Sequence, residues 1–89
     1  MVRKHIYFAG RVQGVGFRYH SYYIAQSLSL TGWVLNLYDG RVEMEVQGSE
    51  DNIMELIKRL KEQRFIVIED IEMYTIENVS GEIGFEMAN

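Results

Sequence analysis

The sequence predicts an α+β fold in which two helices cover one face of an antiparallel β-sheet. Apolar and polar residues alternate in several short segments, which is typical of half-buried strands. Two other segments repeat their apolar residues every three to four positions, as amphipathic helices do. Breaks containing glycine or serine separate the segments in the order β-α-β-β-α-β, followed by a short final strand. This order is the split β-α-β pattern of ferredoxin-like domains.

The first strand and the first helix are separated by a short loop rich in glycine. Alternation from His5 to Val12 predicts the strand, with Ile6 and Phe8 on the same face. The period changes at Phe17, where we expect the helix to begin. The apolar stripe of this helix consists of Phe17, Ser21, Ile24, Ala25 and Leu28. The pair Thr31-Gly32 is expected to end the helix.

A hairpin follows the first helix. Residues Trp33 to Leu37 predict the second strand, and Tyr38-Asp39-Gly40 predicts a turn, because Asp-Gly readily adopts positive φ. In the third strand, apolar residues that are expected to be buried alternate with polar residues that are expected to face water. The buried set is Val42, Met44 and Val46, and the set expected to face water is Arg41, Glu43, Glu45 and Gln47.

The second helix and two further strands complete the pattern. Gly48-Ser49 ends the third strand, and either Ser49 or Asp51 can cap the helix that follows. The apolar stripe of this helix consists of Ile53, Leu56, Ile57 and Leu60. Residues Ile66 to Ile76 predict a longer strand, and Gly84 to Met87 predict a short last one.

Length, charge and cysteine content restrict the class of protein. The 89 residues are predicted to form one domain, residues 1–89, which we expect to be a monomer. The net charge of −4 argues against general nucleic-acid binding, although a local basic pocket is compatible with it. No cysteine is present, so disulfides, thiolate catalysis and zinc-thiolate sites are excluded. No signal-like segment and no apolar run of ~18 residues is found, so we expect a cytoplasmic protein without a membrane partner.

The most informative segment is the glycine-rich loop, where residues 10–18 read Gly-Arg-Val-Gln-Gly-Val-Gly-Phe-Arg. A strand, a glycine loop and a helix N-terminus can together bind an anion through backbone N–H groups. Arg18 can add a planar fork of donors that matches two phosphate oxygens. The loop lacks the Gly-Lys-Ser/Thr of P-loop NTPases, and Tyr19 stands where a dinucleotide fingerprint needs glycine. By itself the loop fits either a phosphate site or an ordinary turn.

A second segment makes the interpretation more specific. After the loop come Ala25 and Leu28, then Gly-Trp-Val-x-Asn at residues 32–36 and Asp-Gly-x-Val-Glu at residues 39–43. Taken together, in this order and spacing, these blocks strongly resemble the acylphosphatase family. The resemblance covers nearly the whole chain and is densest from Gly10 to Gly48. Two departures concern loops only: Ser29 stands where the family often has glycine, and residues 62–65 lack a Gly-Pro-Pro sequence.

The resemblance implies hydrolysis of the carboxyl-phosphate bond of an acyl phosphate to a carboxylate and inorganic phosphate, with no cofactor and no metal. It implies that Arg18 is the substrate-binding arginine and that Asn36 is the catalytic asparagine, whose side chain orients the attacking water. The phosphoryl oxygens are expected to meet the backbone amides of Gln13, Gly14, Val15, Gly16 and Phe17. In this interpretation the side chains of Gln13 and Val15 matter less, and the ring of Phe17 packs under the helix.

Each of these residues also has a simpler interpretation. Arg18 fits a solvated helix arginine, and Asn36 fits a turn residue at the end of a strand. Arg11 is compatible with long-range attraction of an anion or with an ordinary surface position. His20 fits a general base or an exposed helix histidine. The acidic run at residues 69–72 is interpreted as a solvated face and not as a metal site.

The alternative function is a non-catalytic module that binds a phosphorylated ligand or RNA. An RNA-binding sheet needs exposed aromatic side chains in a basic surround. The third strand is instead expected to expose Glu43 and Glu45. A phosphate-binding module would keep Arg18 but would not need an amide that orients water, so Asn36 favours the enzyme. A turnover assay separates the two.

Overall fold

The computed structural model describes residues 1–89 and contains the predicted elements in the predicted order. The elements are β1 (Val2–Arg11), α1 (Phe17–Ser27), β2 (Thr31–Asn36), β3 (Val42–Gly48), α2 (Glu50–Lys61), β4 (Val67–Ile76) and β5 (Phe85–Met87). They form a ferredoxin-like α+β fold with one five-stranded sheet, whose strand order is β4-β1-β3-β2-β5.

The direction of β5 corrects one part of the predicted fold. Three of the four strand pairs are antiparallel, but β5 runs parallel to β2, so the sheet is mixed. The cause is the route of the chain after β4. The last residue of β4, Ile76, pairs with Arg3 at the start of β1, and β2 also starts at this end of the sheet. The chain crosses this end and then follows β2 in the same direction.

The core lies between the helices and one face of the sheet. Ile6 and Phe8 are fully buried, as the alternation in β1 predicts, and sixteen apolar residues form one buried cluster. All four residues of the predicted α2 stripe are buried. In α1, three of the predicted stripe residues are buried, and Ile24 and Leu28 pack against the cluster while partly exposed. The predicted helical faces are therefore confirmed.

Several ends of the elements differ from the predicted ones by one residue, and two differ by more. β1 begins at Val2 instead of His5. Thr31-Gly32 belongs to β2 and does not end α1. The helix ends earlier because Ser29 adopts the left-handed conformation (φ 56), which commonly terminates helices. Of the two predicted caps for α2, Ser49 is the N-cap, and its hydroxyl oxygen accepts the N–H of Asn52 at 3.1 Å.

The face of the sheet opposite the helices is less exposed than predicted. Arg3 is only 2% exposed there and forms ion pairs with Glu45 at 2.9 Å and Glu82 at 2.7 Å. Gln47, expected to face water, is buried because its side chain bonds both backbone groups of Val79. The segment between β4 and β5 thus covers this end of the sheet.

Neither α1 nor α2 is long and apolar enough to span a membrane.

Candidate active site

The candidate site lies at the end of the sheet where β1, β2 and β5 finish and α1 begins. It is a pocket with a cavity volume of about 360 Å³. The residues that line it are Val12, Gly14, Gly16, Phe17, Arg18, Tyr19, Asn36, Met87 and Asn89. Arg18 and Asn36 therefore line one pocket although they are eighteen positions apart in the sequence.

The backbone of the glycine loop leaves helix N–H groups free at this pocket. Gly14 (φ 73) and Gly16 (φ 81) both adopt the left-handed conformation, which glycine tolerates best. Gly16 is the N-cap of α1 and supplies no capping side chain, and the first helical hydrogen bond is donated by His20 to Gly16 O at 2.9 Å. The N–H groups of residues 17–19 therefore have no partner within the helix. Together with the helix dipole they favour an anion here.

The five loop residues predicted to contact the phosphoryl group divide into two sets. Gly14, Gly16 and Phe17 line the pocket, whereas Gln13 and Val15 do not. Val15 packs against the core. The ring of Phe17 is 2% exposed and lies 4.9 Å from the ring of Phe8, so the interpretation that it packs under the helix is confirmed. The side chain of Gln13 extends to the hairpin between β2 and β3 and bonds two carbonyl oxygens there.

Arg18 is half-buried and tied to the last two residues of the sequence. One nitrogen, Nη1, donates to Ala88 O at 3.3 Å, to Asn89 O and to Asn89 Oδ1 at 2.9 Å. Arg18 is therefore not the freely solvated arginine of the simpler interpretation. Its Nε and Nη2 donors have no protein partner, and these two point in parallel, as a bidentate contact with two anion oxygens requires.

Asn36 ends β2, and its backbone is held in place by Asn89. The Asn36 N–H donates to Asn89 Oδ1 at 3.2 Å, and Asn89 Nδ2 donates to Asn36 O at 2.9 Å. Both bonds use the backbone of Asn36, so its side-chain amide remains unpaired beside the pocket. The same Asn89 oxygen that bonds Asn36 also bonds Arg18, which links the two residues.

Asn89 was not predicted from the sequence. It follows a three-residue strand, and no periodic pattern surrounds it. The only local feature is its left-handed conformation (φ 46), which asparagine tolerates better than most residues. A signal of this kind is far too general to predict a site residue.

The other polar candidates lie outside the pocket. His20 does not line it and packs edge-on against Tyr19, with ring centroids 5.6 Å apart. Arg11 is exposed and forms no ion pair. The acidic run at residues 69–72 is mostly exposed, and no group of three or more histidine, cysteine or acidic side chains is arranged to hold a metal ion.

The arrangement is suited to a small anion joined to an apolar group. The polar groups at the pocket are the free helix N–H groups, the Arg18 fork and the Asn36 amide. Its lining also includes the apolar residues Val12 and Met87 and the aromatic Tyr19. The exposed fractions of Tyr19 and Met87 are 55% and 45%, so both are accessible to a ligand.

Comparison with known proteins gives a consistent result. A family model described as acylphosphatase matches residues 4–87. The chain is 42% identical over 88 residues to an acylphosphatase of Clostridium beijerinckii, and the match covers 98% of each chain. It is 57% identical over 53 residues to an acylphosphatase of Clostridium perfringens, where the match covers 60% of each. The crystal structure of acylphosphatase from Bacillus subtilis matches with a TM-score of 0.91 at 34% identity and covers 100% of both chains.

Proposed function

Because the chain belongs to the acylphosphatase family, we propose that it hydrolyses the carboxyl-phosphate bond of acyl phosphates. The products are a carboxylate and inorganic phosphate. The observation that carries the proposal is the set of unpaired groups in one pocket: the Nε and Nη2 of Arg18, the helix N–H groups and the side-chain amide of Asn36. All of them belong to one chain, so the proposed reaction needs no second subunit.

In this proposal the phosphoryl group binds between the Arg18 fork and the N-terminus of α1. The loop N–H groups and the α1 N-terminus contact its oxygens, and the fork of Arg18 bonds two of them. These contacts hold the phosphorus atom next to Asn36. They also stabilise the charge on the phosphoryl oxygens while the bond to the carboxylate breaks.

Asn36 is proposed to orient the attacking water. Its side-chain oxygen accepts a hydrogen bond from the water and aligns it with the phosphorus atom, opposite the leaving group. The water loses its proton late, to a phosphoryl oxygen of the substrate. The leaving group is a stable carboxylate and needs little protonation, so no general base or covalent nucleophile is required. His20 therefore has no role in the proposed mechanism.

The test compares two substrates with the purified protein. Benzoyl phosphate has a carboxylate leaving group, whereas p-nitrophenyl phosphate is an ester with a poorer one, so benzoyl phosphate should be hydrolysed far faster. Activity should survive a chelator, because the proposed reaction is metal-independent. Faster release from the ester, or loss of activity with the chelator, would contradict the proposal. Phosphate binding without any turnover would support the non-catalytic module instead.

A further inference from the structure

Gln13 is the loop residue whose side chain reaches the opposite wall of the site. Its Nε2 donates to Leu37 O at 2.7 Å and to Arg41 O at 2.9 Å. These two residues close the β2–β3 hairpin, because the Leu37 N–H donates to the same Arg41 oxygen at 2.8 Å. Both hydrogens of one side-chain amide are thus used to join the loop to the base of the hairpin.

The residues on either side of these contacts line the pocket. On the loop, Val12 and Gly14 flank Gln13, and both line the pocket. On the hairpin, Leu37 directly follows Asn36, which also lines it. The Gln13 amide therefore joins two segments of the chain, and in each segment a sequence neighbour of the bonded residue lines the pocket. No other side chain of the loop is hydrogen-bonded to the hairpin.

We propose that Gln13 is a positioning residue that fixes the distance between the phosphate-binding loop and Asn36. The inference rests on the proposed function, in which the loop holds the phosphoryl group and Asn36 holds the water. Attack requires the water and the phosphorus atom to be aligned, and a misplacement of about 1 Å can lower the rate about 100-fold. The side chain of Gln13 sets this alignment without itself touching the substrate, because its amide is bonded to Leu37 and Arg41.

The chemistry of the contact explains why glutamine fits here. Two carbonyl oxygens need two donors at the end of a side chain, and a primary amide supplies both. Methionine has a similar length but no donor. An ionised glutamate would place a negative charge against two carbonyl oxygens, and only its protonated form can donate, through a single O–H. Gln13→Met and Gln13→Glu therefore remove the contact in different ways.

The experiment is a double-mutant cycle measured with benzoyl phosphate. It compares the wild type, Gln13→Met, Asn36→Ala and the double variant. We expect Gln13→Met to lower kcat roughly 10- to 100-fold, which is the range expected when reacting groups are misplaced. Inhibition by inorganic phosphate should change much less, because Arg18 and the helix N-terminus are untouched. In the Asn36→Ala background, Gln13→Met should cost almost nothing, because the group that it positions is already gone.

A matched control separates positioning from stability. Gln47 lies near the far end of β3, and its amide also bonds a loop backbone, that of Val79. Gln47→Met should lower the melting temperature and leave kcat unchanged at temperatures where the protein is folded. If Gln13→Met does not fold, Gln13→Glu provides the second measurement. Its kcat, low at about pH 7, should partly recover towards about pH 5, as the carboxyl group gains a proton and one donor.

Several outcomes would overturn the inference. One is a normal kcat for Gln13→Met, and another is the same loss of kcat in the Asn36→Ala background as in the wild type. A third is an equal loss of kcat in Gln47→Met. If the wild type itself does not hydrolyse benzoyl phosphate, the proposed function is refuted and this inference with it. An active wild type with an unimpaired Gln13 variant would instead refute only the role of Gln13 and leave the proposed function standing.

Discussion

Replacing Asn36 with alanine tests the proposed mechanism with little disturbance of the fold. The contacts that hold residue 36 in place, with Asn89, use only its backbone, and alanine keeps both. The side-chain amide has no protein partner, so its removal leaves no unsatisfied group behind. The free energy of unfolding should therefore change by less than about 0.5 kcal/mol, as for most substitutions that remove neither packing nor a hydrogen bond.

The effect on the reaction should be much larger than the effect on stability. If the Asn36 amide holds the attacking water, its loss removes one positioned polar group from the transition state. Such a loss commonly lowers kcat by about 10²- to 10³-fold, or about 3–4 kcal/mol. KM and the inhibition constant of inorganic phosphate should stay close to the wild-type values, because the groups that bind the phosphoryl oxygens remain.

The assay measures kcat for benzoyl phosphate and phosphate inhibition on the same preparation, with circular dichroism to confirm folding. Asn36→Asp is a useful companion variant, since it keeps the size of the side chain but places a negative charge next to the phosphoryl group. A near-normal kcat in Asn36→Ala would reduce Asn36 to a turn residue. A parallel loss of phosphate affinity would instead show that Asn36 supports the anion site.

Three further predictions address the anion site, acid stability and the sheet. Arg18→Ala should abolish both turnover and phosphate inhibition. Arg18→Lys should restore little, because a point charge does not replace the fork. Unchanged phosphate inhibition in Arg18→Ala would place the anion site elsewhere. The Arg3 guanidinium holds the pKa of Glu82 below its ordinary value of 4.5, so this pair stabilises the fold above that pH and loses its effect as the pH falls through the lowered pKa. The difference in melting temperature between the wild type and Glu82→Gln should therefore be largest near neutrality and shrink below pH 4.5, and a constant difference would contradict this. Gly32→Ala should destabilise the protein by more than about 2 kcal/mol, because the added Cβ overlaps a neighbouring backbone carbonyl, whereas Gly40→Ala, also at positive φ but in open space, should cost less in a denaturant titration.

The fold could be predicted because its pattern is local. Period-two and helical repeats of apolar residues place the strands and helices, and the four residues of the predicted α2 stripe are buried as the spacing requires. The direction of β5 could not be obtained in this way. It depends on which end of the sheet the chain reaches after β4, and nothing within the three residues of β5 records that.

The candidate site was predictable to a similar extent. The glycine loop and the resemblance indicate Arg18 and Asn36, and the structure brings both to one pocket. The contacts that hold them were not predictable, because they join residues far apart in the sequence. Gln13 reaches a hairpin 24 to 28 positions later, and Asn89 reaches Asn36 across 53 positions. Sequence spacing carries no information about such contacts.

The short strand β5 has a consequence for how the protein loses activity. It has three residues, lies at the edge of the sheet and leads directly to Asn89, whose amide bonds both Arg18 and Asn36. Edge segments with few backbone bonds open locally at a much lower free energy than the whole domain. When β5 frays, the link between Arg18 and Asn36 is lost while the core remains folded. Inactivation by heat or denaturant should therefore precede global unfolding, and amide hydrogens of β5 should exchange before those of β1 and β3.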